Sequence, residues 1–150
     1  MNWFNILKEL KLLTQEEISA EMEGFESPTS KGYPEVVSPM MYIVKIQNGE
    51  IVGYSAFKDM VTFRFVGNNY LLPKERRQGI YPDMMAERDK YVEEPRIALV
   101  NPIDGSSEER LVSLLKKRGA YEIKNYSQVE DIMTQDTYSE MSIKRMFRYR

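Results

Sequence analysis

Residues 71–85, LLPKERRQGIYPDMM, bring an apolar segment, two adjacent arginines, a glycine and the start of a helix into one short stretch. The first amides of a helix have no intrahelical acceptor and carry the positive end of the helix dipole, so they attract anions. Arg76 and Arg77 add direct positive charge, and Gly79 lets the backbone turn tightly or approach a ligand with no side chain in the way. Pro82 fits a helix that begins near Ile80 or Tyr81, because the amide that proline lacks is unsatisfied in the first turn anyway. Such a corner can hold a phosphate. The same residues also serve a plain strand-to-helix connection with solvated arginines, so the elements around them decide the reading.

What the chain lacks narrows the chemistry further. There is no histidine, which removes the commonest general base and metal ligand, and no cysteine, which removes thiol nucleophiles, thiolate metal sites and disulfides. Catalysis must then rest on carboxylates, tyrosine, lysine, hydroxyls, backbone donors or ordered water, and no metal is expected. A net charge of -2 argues against a dedicated nucleic-acid binder and suits a cationic substrate slightly better. No segment approaches 18 consecutive apolar residues, and no basic region followed by an apolar run and a small-residue cleavage site opens the chain. A cytoplasmic protein with no membrane partner is the expectation.

Other constellations carry two readings each. Asp104, Glu108 and Glu109 can hold a cationic amine or act as a base, or simply complement a helix N-terminus. Glu130, Asp131 and Asp136 match no calcium-loop spacing and read as a polar loop. The ending Lys144-Arg145-Met146-Phe147-Arg148-Tyr149-Arg150 can touch phosphate or RNA through charge and stacking, although the acidic balance of the chain favours a solvated strand. Ten methionines are most simply core filler.

The elements that must position the corner follow from periodicity and punctuation. With 150 residues, 42% hydrophobic and 29% charged, the chain is one domain able to bury a core, with a helical and loop part over 1–39 and the core over 40–147. Trp3, Phe4, Ile6, Leu7, Leu10, Leu12 and Leu13 suggest a short amphipathic helix. Thr14-Gln15-Glu16-Glu17 has the form of a capping box, so a second helix starts there and runs to about Met22 or Phe25. Prolines, Gly32 and hydroxyl residues make 27–39 a loop. Residues 40–47 and 50–57 flank Asn48-Gly49, the signal for a type I′ hairpin. Residues 61–72 form a third strand with a bulge near Gly67-Asn68-Asn69, and a helix covers 81–92. Residues 96–100 form a buried strand, a helix capped by Ser106 or Ser107 runs to Gly119, and 121–126 and 138–147 are the closing strands. The helical crossover should set 61–72 and 96–100 side by side in parallel, giving a mixed α/β (α+β) sheet, mostly antiparallel with a central parallel pair and flanking helices.

At Arg76-Arg77-Gln78-Gly79-Ile80-Tyr81 the chain resembles the GNAT acyltransferase superfamily, whose pyrophosphate signature is Arg or Gln, two residues, Gly, one residue, then Gly or Ala. Leu114-Leu115-Lys116-Lys117-Arg118-Gly119-Ala120-Tyr121 is similar to that family's helix ending in glycine and an aromatic residue. The resemblance spans 40–147 and implies acetyl-CoA as co-substrate, held by Leu71, Leu72, Arg76, Arg77, Gln78, Gly79, Ile80, Tyr81 and Asn101. It implies N-acetylation of an amine, on a small molecule or a protein, by direct attack, and it is compatible with a homodimer. Tyr81 replaces the small last residue of the signature, Leu115 stands where many members carry a tyrosine acid, and Glu108 where asparagine is frequent. The acid and base therefore stay open among Glu108, Tyr121, Tyr126 and water. The alternative the residues allow is a non-catalytic module of the same fold that binds CoA or a protein partner.

Overall fold

The hairpin around Asn48-Gly49 is the local feature from which the sheet extends in both directions. In the computed structural model, which describes residues 10–21, 34–75, 79–100 and 108–149, strands β2 (Met41–Gln47) and β3 (Glu50–Asp59) pair antiparallel. Asn48 and Gly49 take φ values of 53° and 79°, the positive pair that a type I′ turn needs. Strand β4 (Arg64–Leu71) lies antiparallel to β3, and β5 (Arg96–Val100) lies parallel to β4, as the crossover reading requires. Helix α2 (Ile80–Asp89) makes that crossover, following α1 (Gln15–Glu21) in chain order. Helix α3 (Glu108–Lys117) and strands β6 (Tyr121–Glu122) and β7 (Arg145–Tyr149) complete the far half. With β1 (Leu10–Thr14) the sheet runs β1-β2-β3-β4-β5-β7-β6, and β4–β5 is the one parallel pair among the described residues.

Each face of the sheet is covered by its own core. On the first face Tyr42, Val44, Tyr54, Ala56, Phe65 and Ile97 pack with Ile18 of α1 and Met141 of helix α4 (Gln135–Met141). On the second, Ile43, Phe57, Val66, Ala98 and Phe147 pack with Val112 and Leu115 of α3. Phe65 and Phe147 are fully buried, and removing a side chain of that size from water contributes about 2 kcal/mol each. Helix α2 lies against β2 and β3, and Gly53 lets β4 and its Leu71 side chain come close to β3. A Cβ on Gly53 would fall 2.7 Å from Leu71 Cδ1 and 2.8 Å from the Tyr70 carbonyl oxygen. Among the described residues no helix is long and apolar enough to cross a membrane.

Three elements differ from the sequence reading. The stretch expected to be an amphipathic helix is strand β1 where it is described, paired from Leu10↔Lys45 to Thr14↔Met41. Its first residues, Trp3 to Leu7 among them, lie outside the described residues. Ladder pairing with β2 outweighs helix propensity because Leu13 gains a buried place under the sheet edge. The capping box beyond it is present: Thr14 N–H donates to Glu17 Oε1 at 3.0 Å, and Glu17 N–H donates to Thr14 Oγ1 at 3.1 Å.

The strand expected over 121–126 pairs at Tyr121 and Glu122 and makes one further bond to β7, from Ile123 N–H to the Met146 carbonyl at 2.8 Å. There the Gln128 side chain accepts from the Lys124 and Asn125 amides at 2.5 and 3.2 Å, and the chain turns into the 3-10 segment Tyr126–Gln128. Local side-chain bonds of this kind compete with a ladder. The strand expected over 138–147 begins only at Arg145, because Thr134 caps α4 by accepting from Thr137 N–H at 3.2 Å and carries the chain through Met141 as helix.

Candidate functional site

Pairing between the parallel strands stops early. The register runs Arg64↔Arg96, Phe65↔Ile97, Val66↔Ala98, after which β4 continues to Leu71 and β5 to Val100 without bonding each other. β4 keeps β3 beyond that point, since Leu72 N–H donates to the Val52 carbonyl at 2.9 Å. β5 keeps β7 through Val100↔Arg145. The ends of the two strands thus part and leave a gap in the middle of the sheet.

A β-bulge sits at the mouth of that gap. Tyr54 pairs with Tyr70 and Ala56 with Gly67, so Asn68 and Asn69 together oppose the single residue Ser55. The extra residue shifts the alternation, and Asn69 joins Ser55 and Val66 on the second face while Tyr70 returns to the first. Beyond the bulge Leu71 is buried and Leu72 half-buried, and the 3-10 segment Pro73–Glu75 leads toward α2. Gly79 is the residue before α2, with φ 77° and ψ 7°, and no side chain caps the helix. The amides of Gly79, Ile80 and Tyr81 have no intrahelical acceptor and lie at the positive end of the dipole, while Pro82 has none to leave and Asp83 begins the helical ladder. A Cβ on Gly79 would meet nothing within 4 Å among the described residues. Asp83, exposed in the same turn, suits the dipole itself.

Sequence reasoning missed the polar network that ties this region together. Arg88, in the last turn of α2, is 1% exposed and donates to Ser55 Oγ at 3.0 Å, Tyr149 Oη at 2.8 Å and Asp89 Oδ1 at 3.0 and 3.1 Å. Ser55 Oγ in turn donates to Asn69 Oδ1 at 2.5 Å. Asp89 also accepts from the Arg118 guanidinium past the end of α3, so one carboxylate balances two cations across the two helices. Burial pushes the Tyr149 phenol upward from its ordinary value, against the pull of Arg88, and keeps it a neutral acceptor. The only sequence signal was a basic residue in a helix's last turn, which ordinarily means a solvated one.

The candidate acid and base residues stand on three separate elements. Glu108, at the start of α3, is half exposed and paired with Arg145 at 3.2 Å. Tyr121 stands on the edge strand β6, opposite Arg148 and two strands from β5 in the sheet order, and is 47% exposed. Tyr126 donates its hydroxyl proton to the Met133 carbonyl at 2.8 Å and packs against Tyr138. Leu115 is buried among apolar neighbours on the second face. Arg76, Arg77, Gln78 and Asn101 lie outside the described residues. Of the predicted ligand-holding residues, the structure brings Leu71 and Leu72 to the end of β4 and Gly79, Ile80 and Tyr81 to the start of α2.

The acidic cluster around Arg145 has a structural use. Glu122 accepts from Arg145 at 2.7 and 2.9 Å, and that guanidinium, outweighing the opposing effect of burial, holds its carboxyl down at about 2 against an ordinary 4.5. A depressed carboxylate contributes stability that is complete above its unfolded value and fades as pH falls toward its folded one. Glu122→Gln is therefore expected to cost about 1 kcal/mol at neutral pH, allowing for screening at the sheet edge. In urea unfolding at a series of pH values, the gap between variant and parent should close between pH 4.5 and 2. A gap that stays constant to pH 2 would contradict the pairing.

No protein-family model matches the sequence, and no curated protein matches it either. Solved structures do match. GCN5 of Tetrahymena superposes with a TM-score of 0.63 at 11% identity, covering 95% of each chain. PaiA N-acetyltransferase of Thermoplasma acidophilum, solved with coenzyme A, gives 0.55 at 9% identity, covering 95% of this chain and 99% of that one. A GNAT-family acetyltransferase of Staphylococcus aureus Mu50 gives 0.50 at 10% identity, covering 93% and 98%. The superpositions cover nearly the whole length of a chain whose described residues form a seven-stranded sheet with one parallel pair joined by a crossover helix, and the chain has the GNAT fold.

Proposed function

We propose that the chain is an acyl-CoA-dependent N-acetyltransferase that moves an acetyl group from acetyl-CoA to an amine. The observation that carries this reading is the meeting of two features at one end of β4: a gap between β4 and β5, and an uncapped helix N-terminus started by Gly79. The first leaves room for an extended arm between two strands, and the second suits a pyrophosphate. Leu71, Leu72, Gly79, Ile80 and Tyr81 would hold the donor from described positions, joined by Arg76, Arg77, Gln78 and Asn101.

In this reading the amine nitrogen attacks the thioester carbonyl directly. A tetrahedral oxyanion forms, the C–S bond breaks, the amine loses a proton and the departing thiolate gains one. No covalent intermediate on the protein is needed, which fits a chain without cysteine or histidine. The protein's share is positioning and backbone donors at the bulge, and holding two reactants in register is by itself worth several kcal/mol. Buried Leu115, which offers no hydroxyl to protonate the thiolate, favours a second reading as a module that binds CoA or a protein partner without turnover.

Thiol release separates the two. With acetyl-CoA and a panel of a polyamine, an amino sugar, a lysine peptide and a peptide with a free N-terminus, the enzyme reading expects free CoA to appear only when one of the amines is present. Tight acetyl-CoA binding with no thiol release from any amine would favour the module.

A further inference from the structure

We infer that Asn69 is a side-chain hydrogen-bond donor to a carbonyl of the acyl donor's arm, and that Arg88 and Ser55 fix which way its amide faces. The inference rests on the function proposed above, since it needs an arm to lie along the gap beside the bulge.

The argument is one of proton direction. An arginine can only donate, so Ser55 Oγ must accept from Arg88 at 3.0 Å. Ser55 has a single hydroxyl proton, and it goes to Asn69 Oδ1 at 2.5 Å. Only the carbonyl oxygen of the Asn69 amide can accept it. The amide is thereby held with Oδ1 toward Ser55, and both hydrogens of Nδ2 are left for another partner. Ser55 and Arg88 are buried, 0% and 1% exposed, so this direction cannot be scrambled by water. No described residue takes a hydrogen bond from Asn69 Nδ2, while Asn69 itself is half-buried at the bulge, where β4 has already left β5. A donor pair held in one orientation beside the gap fits an acceptor such as an amide or thioester carbonyl.

Two ligands and two variants test it. Asn69→Leu keeps the shape and removes the donors; Ser55→Ala keeps the donors and releases the amide to flip. Affinities are read by titration for acetyl-CoA and for the nucleotide end of coenzyme A lacking the arm. The expected result is that Asn69→Leu weakens acetyl-CoA about tenfold and leaves the nucleotide end within about twofold of the parent, the loss of one well-placed hydrogen bond. Ser55→Ala should weaken acetyl-CoA alone by about threefold, and it carries the test if Asn69→Leu does not fold. Asn69→Gln should recover part of the loss. Equal weakening of both ligands, or of neither, overturns the role of Asn69 while the parent still binds acetyl-CoA. A parent that binds no acetyl-CoA overturns the proposed function and this inference together.

Discussion

Valine in place of Gly79 is expected to weaken acetyl-CoA binding by about a hundredfold, equivalent to roughly 2.7 kcal/mol. The backbone there has φ 77°, a left-handed conformation that costs an ordinary L-residue about 1–2 kcal/mol, and a β-branched one is more strained still. Space is not the obstacle, because a Cβ meets nothing within 4 Å among the described residues. The strain is relieved by letting the residue return to negative φ, which re-aims the amides of Ile80 and Tyr81 that start α2. Loss of aim rather than loss of contact removes the anion site. Gly79→Asn is the control, since asparagine tolerates this conformation and should bind within about tenfold of the parent. Titration of both variants checks this, and unchanged affinity in Gly79→Val would remove the start of α2 from the site.

Replacing Arg88 with methionine is expected to destabilise the fold by about 3 kcal/mol, a large share of the stability of a domain this size. Arg88 is 1% exposed and holds Ser55, Tyr149 and Asp89 at once. Without it the Tyr149 hydroxyl loses its donor inside the core, and Ser55 keeps only Asn69. Asp89 stays partnered by Arg118, which keeps the cost below that of a fully orphaned carboxylate. In thermal unfolding the change should appear as a drop of roughly 10 °C. A variant as stable as the parent would mean that the apolar side chain packs well enough to replace the network.

How much of this was legible in the sequence depends on how local the deciding interaction is. Asn48-Gly49 contains its own turn, and 96–100 is apolar between breakers, so both elements stand where they were read. The bulge announced itself through Gly67-Asn68-Asn69 in an otherwise strand-forming run. The segment Leu10-Lys11-Leu12-Leu13 fits a helix face as well as a strand, and only β2, some thirty residues later, decides. Likewise 138–147 looks strand-forming until Thr134, four residues upstream of Tyr138, caps a helix that takes its first half.

The site divides in the same way. The glycine and the start of α2 were readable because a positive φ and an uncapped helix end are properties of a few adjacent residues. Arg88 was not, because its partners Ser55 and Tyr149 lie 33 residues before it and 61 after it, and only the folded sheet brings them under one guanidinium. Asn69 could be named as a bulge residue, but the direction of its amide follows from that distant arginine.

The most direct test of the central claim is the melting temperature of the unmodified chain with and without acetyl-CoA. If the gap between β4 and β5 and the start of α2 hold the donor, ligand at about 100 times its dissociation constant adds roughly 2.7 kcal/mol and raises the midpoint by several degrees. No shift at millimolar acetyl-CoA would contradict the account and leave the fold without its donor.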